Sequence, residues 1–223
     1  IMTTHAKHHL PAGIRVALGQ INATVGDLEG NSRKIIEYIE KAKSLRCDIV
    51  LFPELAITGY PPEDLVFRKN FIDDNLKALR NVVKYTSGTS AVIGFIDRED
   101  KKIFNSAALA RNGKIIGVHR KNILPNYSVF DEERYFENGD TAGVYTLNGT
   151  KFGIDICEDS WEFKSVIARQ VKKGARMIFS INASPYHLNK WKLRKKIFSK
   201  QALENRVTFF YANLVGGQDE LVF

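Results

Sequence analysis

The chain has 223 residues, of which 44% are hydrophobic and 26% charged, and a formal net charge of +8. That balance excludes general disorder and fits one large domain. No window approaches the roughly 18 apolar residues of a membrane span, and the first dozen residues, IMTTHAKHHLPA, lack the apolar stretch of a signal peptide; the cytoplasm is the expected compartment, with no membrane partner.

In chain order, short apolar runs alternate with amphipathic segments, the pattern of an α/β or layered α+β domain. Strands are expected at 15–21, 48–55, 90–96, 105–111, 114–121, 144–147, 151–157, 176–183 and 208–215. Helices are expected at 31–45, capped by Asn31 or Ser32, and at 63–85, 160–173 and 190–205. Asn112-Gly113 between two strands is a two-residue hairpin signal, so the fifth strand should run antiparallel to the fourth and the sheet should not be purely parallel. No repeat, low-complexity tract or Pro/Gly/Ser-rich linker divides the chain. Residues 216–223 read as a turn followed by the opening of another strand, and a chain cut from something longer is expected.

The positive charge brings an anionic partner into consideration, since residues 190–200 hold six basic side chains and no acid. A solvated helix face explains the run more simply than a nucleic-acid-binding module, for which only Trp191 and Phe198 would supply stacking there. Cys47 and Cys157 are the only cysteines. They are too few for a disulfide framework or a four-ligand zinc site, and a reduced pair is expected.

Three ionisable residues close apolar runs: Glu54, Lys121 and Cys157. Ligands in layered α/β proteins gather outside the carboxyl ends of strands. Cys157, between a strand and a helix, is placed like a nucleophile elbow, whereas Cys47 reads as core. A free thiol titrates near 8.5, so attack at neutral pH needs a base, and a partly desolvated Glu54 suits that work. Glu158 and Asp159 would oppose a stored thiolate, which points to base-assisted attack. Lys121 with a backbone N–H would stabilise the oxyanion formed when a thiolate adds to an amide. His119 shares a strand face with Lys121 and, with His187, is the competing candidate for the base; His5, His8 and His9 lie in the ragged start. There is no G-x-S-x-G, no phosphate or dinucleotide glycine motif and no metal-ligand spacing.

At these residues the sequence resembles the nitrilase superfamily of carbon–nitrogen hydrolases, and within it the glutamine amidotransferase branch found in glutamine-dependent NAD synthetases. The resemblance is carried by LFPELAITGYPPEDL (51–65), HRKNILPNYSVFDEERYFENGD (119–140), GIDICEDSW (153–161), NASPYH (182–187) and GGQDELVF (216–223). It implies a four-layer αββα sandwich over 14–223, lacking its last strands, preceded by a disordered or tag-like segment at 1–13. It places a Glu-Lys-Cys triad on Glu54, Lys121 and Cys157 and an orienting glutamate on Glu132, with Glu133 as the neighbouring candidate.

The residue after Cys157 is Glu158, where nitrilases usually carry an aromatic; a carboxylate there fits the ammonium of free glutamine. The resemblance further implies Ser184 and Lys190 near the substrate carboxylate, with Arg194 as the competitor of Lys190, and Tyr127 and Trp161 on the pocket wall. It implies L-glutamine as substrate, a thioester intermediate, no cofactor in this domain, and a homo-oligomer. The ammonia would pass to a synthetase domain of the same polypeptide, absent here, that uses ATP, magnesium and deamido-NAD. A stand-alone amidase acting on another small amide is the nearer alternative.

Overall fold

The computed structural model describes residues 13–161, 166–218 and 221–223. The expected tag-like start therefore lies, but for residue 13, outside the described residues. Hydrophobic periodicity has sorted the described chain into four layers. The first sheet is β1 (Val16–Leu18), β2 (Ile49–Leu51), β3 (Ser90–Glu99), β4 (Lys102–Arg111) and β5 (Lys114–Arg120), in that order. β1, β2 and β3 pair parallel, while β3–β4 and β4–β5 are antiparallel. Asn112 and Gly113 turn the β4–β5 hairpin with φ of 50° and 74°, the left-handed pair that such a two-residue turn needs. The second sheet is β6 (Val144–Leu147), β7 (Thr150–Ile156), β8 (Met177–Asn182) and β9 (Thr208–Asn213), with β6 antiparallel and the rest parallel. A short ribbon pairs β10 (Gly217–Gln218) with β11 (Leu221–Val222).

Side chains alternate across each strand, so each sheet feeds two cores. Ile49 and Leu51 of β2 join Val92, Ala107 and Leu109 against Phe152, Ile154, Ile156, Phe179 and Ile181 of the other sheet. Val50, from the opposite face of β2, packs with Ile93 and Phe95 under Ile35 and Ile39 of α1 (Leu28–Ser44) and Leu79 and Val82 of α2 (Lys69–Val83). On the far side, Ile167 of α3 (Val166–Lys172) covers Ile178, and Phe198 of α4 (Lys190–Asn205) stacks on Phe209 with ring centroids 5.1 Å apart. The αββα order is complete.

Several boundaries differ from the sequence expectation. α1 starts at Leu28, because Asp27 and not Asn31 or Ser32 caps it: Asp27 Oδ1 accepts the Gly30 N–H at 2.8 Å. Asn31 is buried and spends its amide on Thr24 and Ile57, while the Ser32 hydroxyl turns back to the Leu28 carbonyl. The helix expected at 63–85 is interrupted at Arg68, whose extended ψ of 111° separates a 3-10 turn (Glu63–Phe67) from α2. The helix expected from 160 begins as a 3-10 turn over Cys157–Ser160, with 162–165 outside the described residues. Most strands are shorter than expected at their carboxyl ends. Phe52, Leu55, Ala183 and Leu214 are apolar and buried, but they pack in loops.

Those loops hold the candidate site residues. β2, β3 and β5 point one way in the first sheet and β7, β8 and β9 run together in the second, and the residues singled out in the sequence follow the carboxyl ends of β2, β5, β7 and β8.

Candidate active site

Past β2, the Phe52 N–H still reaches Val92 O at 2.8 Å, and then the backbone turns through Leu55 at φ 47°. The turn lies directly on Gly94 of β3. A Cβ at Gly94 would stand 2.3 Å from the Pro53 carbonyl and 2.4 Å from the Leu55 nitrogen, so a hydrogen at this position lets Glu54 come inward. Its carboxylate is 1% exposed. Oε1 accepts Lys121 Nζ at 2.7 Å and Asn105 Nδ2 at 2.7 Å, and Oε2 accepts the Ala183 N–H at 2.9 Å.

Lys121, just beyond β5, is equally buried. Its backbone is fixed to Asn105 O and Gly139 N at 2.8 and 2.7 Å. Besides Glu54, its ammonium donates to both oxygens of Glu132 at 2.8 Å. Burial alone would lower its pKa, but Glu132 and then Glu54 more than reverse this and hold the lysine well above its ordinary value. Two carboxylates share one ammonium. Burial accordingly pushes Glu132 upward, against the attraction of Lys121 and the Tyr60 hydroxyl, which donates to Oε1 at 2.9 Å. Glu133, the alternative, is exposed.

Cys157 follows β7 at φ 46°, a left-handed position that a residue with a Cβ occupies only when its surroundings enforce it, and the residue is 4% exposed. Burial raises the thiol pKa well above its ordinary value, Glu54 adds to the rise, and Lys121 opposes it. The resting group is a thiol, so attack requires a base at the moment of reaction.

Around this centre the structure gathers most of the remaining candidates. Tyr127 donates to Glu158 Oε1 at 2.9 Å, and burial raises the Glu158 pKa. Tyr127, Trp161 and Lys190 line a cavity of about 410 Å³ with Phe130, His187 and Leu221. Lys190 Nζ stands 5.9 Å from the Trp161 ring, and burial and then the Arg194 charge lower its pKa. Ser184 is buried, with its carbonyl taking Arg194 at 2.6 Å. Arg194 also donates to Pro185 O at 3.1 Å, so it straps this loop from below while Lys190 faces the cavity. A larger groove of about 760 Å³ between α1 and α2 contains none of these residues.

Among the described residues, neither histidine candidate makes a hydrogen bond to the Cys157 thiol. His119 Nε2 is 2.9 Å from Asp159 Oδ2, its buried Nδ1 has no hydrogen-bond partner among the described residues, and His187 is exposed. Cys47 is buried in the core beside α1. On α4, Phe198 is buried against Trp161, Phe209 and Tyr211, leaving Trp191 exposed and no interleaved aromatic row. Among the described residues, no group of three or more His, Cys, Asp or Glu is arranged to hold a metal ion. None of the described helices is long and apolar enough to cross a membrane.

Sequence reasoning missed Asn105 and Tyr60 as parts of the site, and gave Asp159 only an electrostatic effect on the thiol where the structure bonds it to His119 and to the backbone at Asn122, Ile123 and Ile156. Asn105 lies mid-strand in an apolar run, where a lone amide is itself a signal of buried polar contacts; Tyr60 falls inside the first quoted motif without an ionisable flag.

Residues 15–223 match the family model for carbon–nitrogen hydrolases. The chain belongs to the carbon–nitrogen hydrolase family. Its relatives include the glutamine-dependent NAD(+) synthetases of Thermotoga maritima, 44% identical over 94% of this chain and 37% of that protein, and of Xanthomonas campestris, 42% identical over 94% and 38%. Among solved structures, glutamine-dependent NAD+ synthetase from Acinetobacter baumannii superposes with a TM-score of 0.88 at 36% identity, covering 94% of this chain and 40% of that one. A mutant of the Nesterenkonia AN1 amidase from the nitrilase superfamily gives a TM-score of 0.84 at 24% identity, covering 96% and 81%, a likeness of fold. This carbon–nitrogen hydrolase therefore spans well under half the length of the synthetases that it matches.

Proposed function

We propose that the chain hydrolyses the side-chain amide of L-glutamine and supplies ammonia for NAD synthesis from deamido-NAD. The observation that carries this reading is a buried ammonium held between Glu54 and Glu132 beside a left-handed cysteine. Glu54 takes the Sγ proton, the thiolate adds to the amide carbon, and the Lys121 ammonium meets the new oxyanion. All three lysine protons are engaged at rest, two of them on Glu132; letting the Glu132 pair open to a single bond frees one for the oxyanion. Glu54 then returns its proton to nitrogen, ammonia leaves, and a thioester remains. A water deprotonated by Glu54 attacks it, glutamate departs and the thiol is restored.

Glutamine is favoured over a neutral amide by opposed charges at the cavity, Lys190 in its lining and Glu158 bonded to the lining residue Tyr127. Glu158, with Tyr127 bonded to it, suits the α-ammonium, and Lys190 suits the α-carboxylate. ATP, magnesium and deamido-NAD belong, in this proposal, to a synthetase domain of the same polypeptide; the support is that the relatives are named glutamine-dependent NAD(+) synthetases and that this chain covers 37% of the one from Thermotoga maritima.

Cys157→Ala tests the mechanism. It should abolish ammonia release from glutamine while leaving circular dichroism unchanged, and 6-diazo-5-oxo-norleucine should label Cys157, read by mass spectrometry. Turnover persisting in that variant, or label on Cys47, would sink the mechanism.

A further inference from the structure

The nucleophile and the cation that meets its oxyanion arise from different sheets. Cys157 ends β7 of one, Lys121 follows β5 of the other, and the layer between them is made of aliphatic and aromatic side chains. Apolar packing is non-directional, so by itself it does not set the angle at which two loop residues face each other. Displacement of a reacting group by about 1 Å can cost on the order of 10²-fold in rate.

One carboxylate ties the two ends directionally. Asp159 has no exposed surface. Its Oδ1 accepts the backbone N–H groups of Asn122 and Ile123 at 2.8 and 3.0 Å. Its Oδ2 accepts the Ile156 N–H at 3.2 Å and lies 2.9 Å from His119 Nε2. The four partners bracket Lys121 from positions 119, 122 and 123, and grip the elbow at 156, immediately before Cys157. A surface cap would leave such a carboxylate in water. A buried one costs several kcal/mol unless its lone pairs are filled, and here four donors fill them.

We propose that Asp159 is a positioning residue that sets the Cys157 elbow against the segment carrying Lys121, with His119 locking its carboxylate. This rests on the roles proposed above for Cys157 and Lys121. Asp159→Asn keeps the shape but sets an amide N–H against backbone or His119 donors whichever way the amide is turned.

The test is steady-state ammonia release by the intact protein, with circular dichroism as the control for folding. Asp159→Asn should lower kcat by about 10²-fold with KM for glutamine within about three-fold. On a Lys121→Met background the same change should cost less than about five-fold, because the alignment that it serves has already lost its purpose. His119→Leu should lower kcat about ten-fold, and His119→Gln, which returns an N–H at similar reach, should recover most of it. A folded Asp159→Asn with wild-type kcat, full additivity on the Met background, or a His119→Gln as poor as His119→Leu each overturns the positioning role. Should Asp159→Asn fail to fold, the His119 pair decides. Wild-type turnover in Lys121→Met itself would bring down the underlying mechanism along with this proposal, whereas the other outcomes overturn the positioning role alone.

Discussion

A lysine whose three protons all rest on carboxylates is first a matter of charge. Lys121 neutralises one of two buried carboxylates, so Lys121→Met leaves Glu54 and Glu132 facing each other without a cation. That variant should lose at least about 10²-fold in turnover through the missing oxyanion donor, and should also melt lower. Adding Glu132→Gln to it should restore part of the melting temperature and none of the activity, because it removes repulsion but not the lost donor. Glu132→Gln alone should slow ammonia release, while Glu133→Gln on the exposed neighbour should not; the reverse pattern would move the assignment by one residue. Asp155, on β7, is another buried carboxylate, and burial raises it to about 7 against the hydroxyl of Ser160. A carboxyl raised on folding binds its proton more tightly in the native state. Stability from this group is therefore whole below the unfolded value of about 4 and is lost as pH climbs toward 7. Melting temperature should fall across that window, and Asp155→Asn should flatten the fall. An equally steep profile in the variant would mean that Asp155 is not the group that titrates.

Gly94 shows how one element places another. With the Pro53 carbonyl 2.3 Å from where its Cβ would stand, Gly94→Ala should push the Glu54 turn outward, lowering both melting temperature and kcat. A wild-type kcat would show that the turn has room to relax. At this scale much was legible in the sequence. The Asn112-Gly113 signal gave the β4–β5 hairpin, and helix α4 matches its expected range. What misled was the assumption that an apolar run ends where its strand does. Phe52 and Leu55 remain buried after the β2 ladder has stopped at Leu51, because the loop closes the end of the sandwich. The cap of α1 was also misread, since Asn31 looks like a capping residue until its amide is seen tying Thr24 to Ile57. For the candidate site, Glu54, Lys121 and Cys157 stand out in the sequence because they close apolar runs, while Glu132, Glu158 and Lys190 follow only from the family resemblance. Asn105 and Tyr60 carry no charge at neutral pH, and their roles emerge only when Glu54 and Glu132 are brought from distant loops to meet them.

At the scale of the whole molecule, sheet topology explains why the site and the bulk of the core are separable. Parallel strands of both sheets end on one side, so the candidate site residues collect there while the inter-sheet layer runs away beneath them. Phe152 sits in that layer early on β7, with its ring 4.8 Å from that of Phe179. At about 3.3 Å per residue it lies roughly 16 Å along the strand from Cys157. Phe152→Leu should therefore cost about 1–3 kcal/mol and lower the melting temperature by several degrees while leaving kcat unchanged below the transition. Ile156→Ala removes side chain from the same layer at the last position before the elbow, and there stability and kcat should fall together. The comparison is between two losses of buried apolar volume that differ chiefly in distance from Cys157. If Phe152→Leu lost turnover in proportion to its stability, the sandwich would be transmitting strain along β7, and the elbow would depend on the packing of the whole layer more than on its own hydrogen bonds.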